Sequence, residues 1–152
     1  MNKGGPIVIL LAEDDPAHAE IIRRTMKISR IANRMIHVND GQQALDYLYR
    51  REPYADPATS PRPGLILLDL RMPRIDGLDV LRQIKNDVEL ARIPTVILTT
   101  SSAETDMVKA YDAHANSYLV KPVDFDKFTS MMETVGFYWL MWNCNLENDN
   151  PG

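Results

Sequence analysis

The most continuously apolar stretch of the chain is LILL, which opens the segment LILLDLRMPRIDG at residues 65–77. Its length and composition are typical of a β-strand buried on both faces, at the centre of a parallel sheet. Asp69 follows this strand directly, and the pairs Met72-Pro73 and Asp76-Gly77 break the chain before a helical pattern begins. The segment therefore predicts a central strand that delivers a carboxylate to one edge of a sheet.

Apolar runs and helical patterns alternate on both sides of this strand. Four further runs are predicted as strands: 7–12, 35–39, 94–99 and 117–120. The first three helices have predicted apolar faces formed by Ile21, Ile22, Thr25, Met26 and Ile28, by Ala44, Leu45 and Leu48, and by Val80, Leu81 and Ile84. Two more helices are predicted over 104–112 and from about residue 124 to beyond 142. The predicted fold class is α/β: a (βα)5 doubly wound, five-stranded parallel sheet with an extended C-terminal helix.

The proline-rich segment EPYADPATSPRP, residues 52–63, interrupts this alternation. It is predicted as a long irregular loop inside one domain, because the pattern of strands and helices resumes in phase after it. A chain of 152 residues has the length of one domain with a sizeable core.

The composition narrows the function classes and the location. A net charge of −4 gives no general attraction to nucleic acid or anionic lipid. No apolar run approaches the roughly 20 residues that cross a bilayer, and the chain begins without a signal-peptide pattern. The single cysteine, Cys144, cannot form an intrachain disulfide, so a cytoplasmic location is expected. The histidines His18, His37 and His114 lack metal-ligand spacing and are interpreted as surface or packing residues.

Polar side chains follow four of the five predicted strands. Glu13 and Asp14 come after the first strand, Asp69 after the central one, Thr99 ends the fourth, and Lys121 follows the fifth. The carboxyl ends of parallel strands form the ligand crevice of such sheets, so these groups are expected to meet. Three carboxylates, a hydroxyl and an ammonium suit Mg²⁺-assisted transfer of a phosphoryl group onto an aspartate.

Each of these residues also has a simpler interpretation. Asp69 alone could cap a turn, Thr99 could reflect strand propensity, and Lys121 could be solvated. Their combination favours the functional interpretation. Mg²⁺ takes few protein ligands, and Asp14 and Asp69 are expected to bind it directly, with Glu13 acting through water. Asp15 precedes Pro16 and is predicted to cap a helix.

At these positions the chain resembles the receiver domain of two-component response regulators. The resemblance covers residues 7–132 and rests on the four strand-end positions, the Asp76-Gly77 pair and the Lys121-Pro122 pair, all in the same order. It implies a flavodoxin-like fold, a receiver domain at 7–133, an N-terminal tail at 1–6 and an aromatic C-terminal extension at 134–152. One variation is Glu13, where many relatives have aspartate.

The resemblance also implies residue roles and a reaction. Asp69 would be the phosphoacceptor, Glu13 and Asp14 the acid pair, and Arg71 a metal ligand through its backbone carbonyl. Thr99 and Tyr118 would be the switch pair, with Thr99 and Lys121 acting on the phosphoryl group. The donor would be a phosphohistidine of a sensor histidine kinase. Such a protein catalyses its own phosphorylation and dephosphorylation but is not a metabolic enzyme.

A narrower resemblance concerns the small response regulators paired with bacterial and cyanobacterial phytochromes. It rests on the proline-rich loop and on LTTSSAETD (98–106), AYDAHANSYLVKP (110–122) and GFYWLMW (136–142). It implies a bacteriophytochrome as the kinase. A phosphorelay shuttle, or a target-binding regulator paired with another kinase, remains an alternative.

The tail VGFYWLMW, residues 135–142, is apolar nearly all round. Contiguous exposed aromatics mark interaction sites, so a homodimer is expected through Phe137, Tyr138, Trp139 and Trp142. The alternative is that the tail folds back on its own domain. A membrane-surface helix is disfavoured because the tail carries no lysine or arginine.

Proteins of other classes fit the sequence less well. Aspartyl-phosphate hydrolases typically carry a second aspartate two positions after the nucleophile, where this chain has Arg71. A dinucleotide-binding unit needs a glycine-rich turn after the first strand, where LLAEDDP stands instead. A structural adaptor that has lost phosphorylation is disfavoured because the required residues are present. No basic helix for DNA binding follows the receiver.

Overall fold

The computed structural model describes residues 7–28, 33–100, 103–104 and 117–134. Within them, five parallel strands form one sheet in the order β2-β1-β3-β4-β5. The strands are β1 (Ile7–Ala12), β2 (Asn33–Val38), β3 (Leu65–Asp69), β4 (Thr95–Thr99) and β5 (Ser117–Val120). The predicted doubly wound parallel sheet is confirmed, and the run at 65–69 is its central strand.

The helices connect the strands as the sequence pattern predicted. They are α1 (Pro16–Ile28), α2 (Gly41–Leu48), α3 (Gly77–Asn86) and α4 (Phe125–Thr134), with a 3-10 turn at Leu90–Arg92. Asp40 caps α2 by accepting a hydrogen bond from Gln43 N. Asp76 caps α3 in the same way through Asp79 N. Most of the helix predicted at 104–112, and the predicted course of the last helix beyond Thr134, lie outside the described residues.

Some predicted boundaries differ from those in the structure. β3 includes Asp69, because the ladder with β4 continues through the pairing of Asp69 with Leu98. β2 begins at Asn33 and ends at Val38, since β1 pairs with it over that whole range. Among the apolar residues predicted to face the core from α1, Ile21 and Ile28 are exposed. The buried stripe runs through Ala19, Ile22 and Met26 at helical spacing.

Two hydrophobic clusters cover the two faces of the sheet. Alternate residues of β3 enter each one: Ile66 and Leu68 join α2 and α3, whereas Leu65 and Leu67 join α1 and α4. All four side chains are fully buried, and burial of a leucine or isoleucine contributes about 1.5–3 kcal/mol. The central strand is thus fixed from both sides, which holds its last residue, Asp69, at the carboxyl edge.

The segment between α2 and β3 is irregular, as its prolines predict. Tyr47 in α2 holds it through a 2.6 Å hydrogen bond from the phenol to the Pro61 carbonyl. The ring of Tyr54 packs 5.3 Å from that of Tyr47. The loop therefore returns against its own helix. No helix in the described ranges is long and apolar enough to span a membrane.

Candidate functional site

The carboxyl ends of β1 and β3 bring three carboxylates together. One oxygen from each of Glu13, Asp14 and Asp69 lies within 4.8 Å of the others. Glu13 is fully buried, Asp69 is 4% exposed and Asp14 is exposed. β1 and β3 are neighbours in the sheet although β2 separates them in sequence, which is the kind of position where such sheets bind ligands.

Lys121 enters this cluster from the end of β5. Its Nζ lies 2.6 Å from Glu13 Oε1 and 3.2 Å from Asp69 Oδ2. Burial of the ammonium lowers its pKa, but the hydrogen bond with Glu13 and the charges of Asp69 and Glu13 outweigh this, so the pKa of Lys121 is raised. The group is therefore a fixed positive charge between two buried carboxylates. The Lys121-Pro122 peptide bond is cis.

Asp69 has an unusual protonation equilibrium for a carboxylate. Burial, together with the hydrogen bond and negative charge of Glu13, raises its pKa from 3.8 to about 6, although Lys121 opposes this rise. Ionised Asp69 is therefore held at a cost in free energy that an added cation would reduce.

The donor set suits a hard divalent cation. All three candidate ligands are carboxylates, the donor type that Mg²⁺ prefers. Within the described part of the chain, the buried Oε1 of Glu13 lies 2.6 Å from Lys121 Nζ and 3.7 Å from His18 Nδ1, so these two cationic or polar groups are its neighbours. The cluster thus has spare acceptor capacity and excess negative charge, and it could hold a metal ion.

The two residues predicted as a switch lie on β4 and β5. Thr99 is fully buried, and its hydroxyl donates to the Leu119 carbonyl at 3.5 Å. Because Asp69 pairs with Leu98, Thr99 lies one residue beyond the level of Asp69 on the neighbouring strand. Tyr118 is half-buried and packs against the cluster formed with α2 and α3.

Arg71 connects the loops that follow β3 and β4. Its backbone N–H donates to Asp69 Oδ1 at 3.4 Å, and its Nε donates to Glu104 Oε2 at 2.8 Å. Glu104 also accepts from Thr100, through the backbone N at 3.0 Å and the hydroxyl at 2.9 Å. These contacts lower the pKa of Glu104, the hydrogen bond from Arg71 most strongly. The role of Glu104 was not predicted.

Two glycines lie in close contact with the backbone of the loop after Asp69. A Cβ on Gly77 would lie 2.3 Å from the Asp69 carbonyl oxygen, and one on Gly41 would lie 1.9 Å from that of Ile75. No side chain fits at either distance. The first residues of α2 and α3 therefore contact the backbone of this loop directly.

Two histidines border the site, although the sequence suggested only surface or packing roles. His37 Nε2 lies 2.7 Å from the Glu13 carbonyl oxygen. His18, in the first turn of α1, has Nδ1 3.3 Å from Lys121 Nζ. Asp15 caps α1 as predicted, since Oδ1 accepts from Ala17 N at 2.9 Å.

A buried aspartate at the end of the third strand, beside an acidic pair and a lysine, is the arrangement that the sequence resemblance implied for a receiver domain. Residues 9–133 match the family model for the response regulator receiver domain. The chain belongs to this family, and it is a response regulator of two-component signalling.

Individual relatives are similar over most of their length. The probable methanogenesis regulatory protein FilR2 of Methanothrix harundinacea is 43% identical, over 91% of this chain and 86% of the relative. Response regulator Rcp1 of Synechocystis is 40% identical, over 89% of this chain and 90% of the relative. A Mn²⁺-bound crystal structure of response regulator Rcp1 superposes with a TM-score of 0.70, over 89% of this chain and 95% of that one. The structure of the bacteriophytochrome response regulator RtBRR superposes with a TM-score of 0.82 at 40% identity, over 88% of this chain and 80% of that one. The predicted likeness to phytochrome-associated regulators is confirmed.

Proposed function

We propose that this response regulator accepts a phosphoryl group on Asp69 from the phosphohistidine of a sensor histidine kinase. The observation that carries the proposal is the position of Asp69, a buried carboxylate between the Lys121 ammonium and the acidic pair. A buried nucleophile with few hydrogen-bonding partners is weakly solvated, and a fixed cation beside it compensates the charge that arrives with the phosphoryl group.

In the proposed step, an Asp69 oxygen attacks phosphorus as the bond to the histidine nitrogen of the kinase breaks. The histidine leaves and an aspartyl phosphate remains. Asp14, Asp69 and the Arg71 carbonyl would hold Mg²⁺, with Glu13 acting through water. The bound ion would supply charge neutralisation at the phosphoryl oxygens. Lys121 and Thr99 would contact those oxygens by ion pairing and hydrogen bonding. The acyl phosphate is then open to hydrolysis, so the chain would reset itself without being a metabolic enzyme.

Signalling would follow from a shift between two conformations. Thr99 would turn toward the phosphoryl group, and Tyr118 would occupy the space that it leaves. The position of Tyr118 supports this, because it packs against a core cluster without being fully buried.

The comparisons favour a bacteriophytochrome as the kinase, because RtBRR and Rcp1 are similar over nearly the whole described receiver. A target-binding regulator paired with a kinase outside the phytochromes is the alternative. A phosphorelay role, in which the phosphoryl group passes to another histidine protein, uses the same acceptor.

We further propose that the chain consists of an N-terminal tail at 1–6, a receiver domain at 7–133 and a C-terminal extension at 134–152. In this proposal the extension forms a homodimer through Phe137, Tyr138, Trp139 and Trp142, which lie outside the described residues.

The acceptor reaction is tested by intact mass after incubation with acetyl phosphate. With Mg²⁺, the wild type is expected to gain the mass of one phosphoryl group, and chelation of the metal should abolish the gain. Asp15→Asn is a suitable control, because Asp15 is a partly exposed helix cap beside the acidic pair and is not one of the three candidate metal ligands. It should be phosphorylated like the wild type. A folded wild type that gains no mass from acetyl phosphate or from a panel of autophosphorylated kinases would contradict the proposal.

A further inference from the structure

Among the described residues, the ammonium group of Lys121 has three neighbouring acceptors. Two are carboxylate oxygens, Glu13 Oε1 at 2.6 Å and Asp69 Oδ2 at 3.2 Å. The third is His18 Nδ1 at 3.3 Å. An ammonium carries three N–H donors, so these acceptors account for all of them. His18 is the only one of the three that belongs neither to the acceptor nor to the acidic pair.

The contact between Lys121 and His18 is a hydrogen bond only in one tautomer of the imidazole. Lys121 has no acceptor, so attraction at this distance requires a lone pair on Nδ1. The ring proton of His18 is then on Nε2. The carboxylates near the same nitrogen lie farther away than Lys121 Nζ, with Glu13 Oε1 at 3.7 Å and Asp15 Oδ2 at 3.5 Å.

The backbone at Lys121 is fixed independently of His18. Lys127 Nζ donates to the carbonyls of Val120 at 3.2 Å and Pro122 at 3.1 Å, and Lys121 N donates to the Thr99 carbonyl at 2.8 Å. These bonds fix the backbone but not the ammonium, whose position depends on the conformation of the flexible side chain. Glu13 lies closer to the ammonium than Asp69 does, so a third partner can affect how far the ammonium lies from Asp69.

We propose that His18 is a positioning residue for phosphoryl transfer: its Nδ1 holds the Lys121 ammonium at the distance from Asp69 where it can contact the incoming phosphoryl group. This inference rests on the proposed function. With acetyl phosphate, an Asp69 oxygen bonds to phosphorus as the bond from phosphorus to the acetate oxygen breaks, and acetate leaves. The ammonium pairs with a phosphoryl oxygen during that step, and His18 keeps it available.

The test compares three substitutions of His18. Asparagine can place an amide oxygen where Nδ1 lies, whereas glutamine reaches the Nε2 position and leucine offers no acceptor. Displacement of a catalytic group can reduce a rate by up to ~100-fold. We expect His18→Leu and His18→Gln to slow acetyl phosphate-dependent phosphorylation by about 10-fold. His18→Asn should stay within about threefold of the wild type.

Two further readouts separate positioning from a purely structural role. The Kd for Mg²⁺, measured by calorimetry without acetyl phosphate, should change less than about twofold in all three variants, because the carboxylates hold the metal. Long-range ¹H–¹⁵N NMR should show the His18 proton on Nε2. Lys27→Ala, at an exposed residue in the last turn of the same helix, should leave the rate unchanged.

The outcomes are distinct. Equal rates in the wild type, His18→Leu and His18→Gln would overturn the inference, as would a proton on Nδ1. A slow His18→Asn together with weaker Mg²⁺ binding in all variants would assign His18 a structural role instead. If the wild type accepts no phosphoryl group, the proposed function fails, and the NMR tautomer still decides whether His18 accepts from Lys121.

Discussion

Asp69→Asn is expected to accept no phosphoryl group and yet to be more stable than the wild type in the absence of Mg²⁺. The loss of acceptance follows because an amide oxygen is a far weaker nucleophile than a carboxylate and cannot form the aspartyl phosphate. The gain in stability follows because the substitution removes a negative charge from a buried cluster. Glu13 remains within 2.6 Å of Lys121, so the ammonium keeps a partner.

The sign of the stability change comes from the protonation equilibrium of Asp69. Its pKa is about 6 in the folded protein and 3.8 ordinarily. A carboxyl group with a raised folded pKa contributes stability that is fully present below pH 3.8 and is lost as the pH rises through about 6. At ~1.4 kcal/mol per pH unit of difference, the loss is at most about 3 kcal/mol. Asparagine does not undergo this loss, so the variant should exceed the wild type by roughly 1–3 kcal/mol above pH 7.

Urea unfolding at pH 7.5 and pH 5, with and without Mg²⁺, measures both effects. The advantage of Asp69→Asn should shrink at pH 5, where the wild-type carboxyl is largely protonated. Mg²⁺ should stabilise the wild type more than the variant, since only the wild type has the full set of carboxylates. A variant that is less stable than the metal-free wild type at pH 7.5 would show that the Lys121–Asp69 ion pair outweighs burial.

The second large effect is expected at the first residue of α3. In Gly77→Ala, the new Cβ would meet the Asp69 carbonyl oxygen at 2.3 Å and Leu70 Cα at 2.9 Å. Both are backbone atoms at the end of β3, so relief requires either α3 or the backbone at Asp69 to move. Gly77 N also donates to the Leu70 carbonyl at 2.9 Å, a hydrogen bond that such a movement would weaken. We expect a loss of about 3 kcal/mol in unfolding free energy and slower phosphorylation.

Gly64→Ala provides the matched control for this substitution. Its Cβ would lie 3.6 Å from Ile7 Cγ2, which is an ordinary van der Waals distance. Its unfolding free energy should stay within roughly 0.5 kcal/mol of the wild type. Thermal unfolding should show a midpoint about 10 °C lower for Gly77→Ala and nearly unchanged for Gly64→Ala. Similar midpoints for the two variants would mean that the backbone at Asp69 and Leu70 moves at little cost in free energy.

The sequence predicted the sheet and most of the site because both depend on local patterns. Residues 65–68 are apolar because β3 is buried on both faces, and Asp69, Glu13 and Lys121 follow strands whose ends must lie at one edge. Those three side chains do meet. Their catalytic roles, and that of the Arg71 carbonyl, stay predictions.

The contacts that sequence reasoning missed join side chains far apart in the chain. His18 and Lys121 are separated by 103 residues, and Arg71 and Glu104 by 33. No periodicity encodes such pairs, because they depend on how the loops at the sheet edge are packed. The two exposed isoleucines of α1 have a related cause. Amphipathic spacing identifies a helix, but the width of the buried stripe depends on the neighbours that cover it.

The glycine contacts at the starts of α2 and α3 restrict backbone movement on one side of the site, whereas the other connections of the loop are made by side chains. The backbone after Asp69 lies directly against Gly41 and Gly77, where not even a Cβ would fit between helix and loop. On the opposite side the connections are side-chain bridges, such as Arg71 to Glu104, which can break and re-form. A change in the chemical state of Asp69 should therefore alter the structure near β4 and β5 rather than at the starts of α2 and α3. Hydrogen exchange on phosphorylation should change there and remain constant at the first turns of α2 and α3.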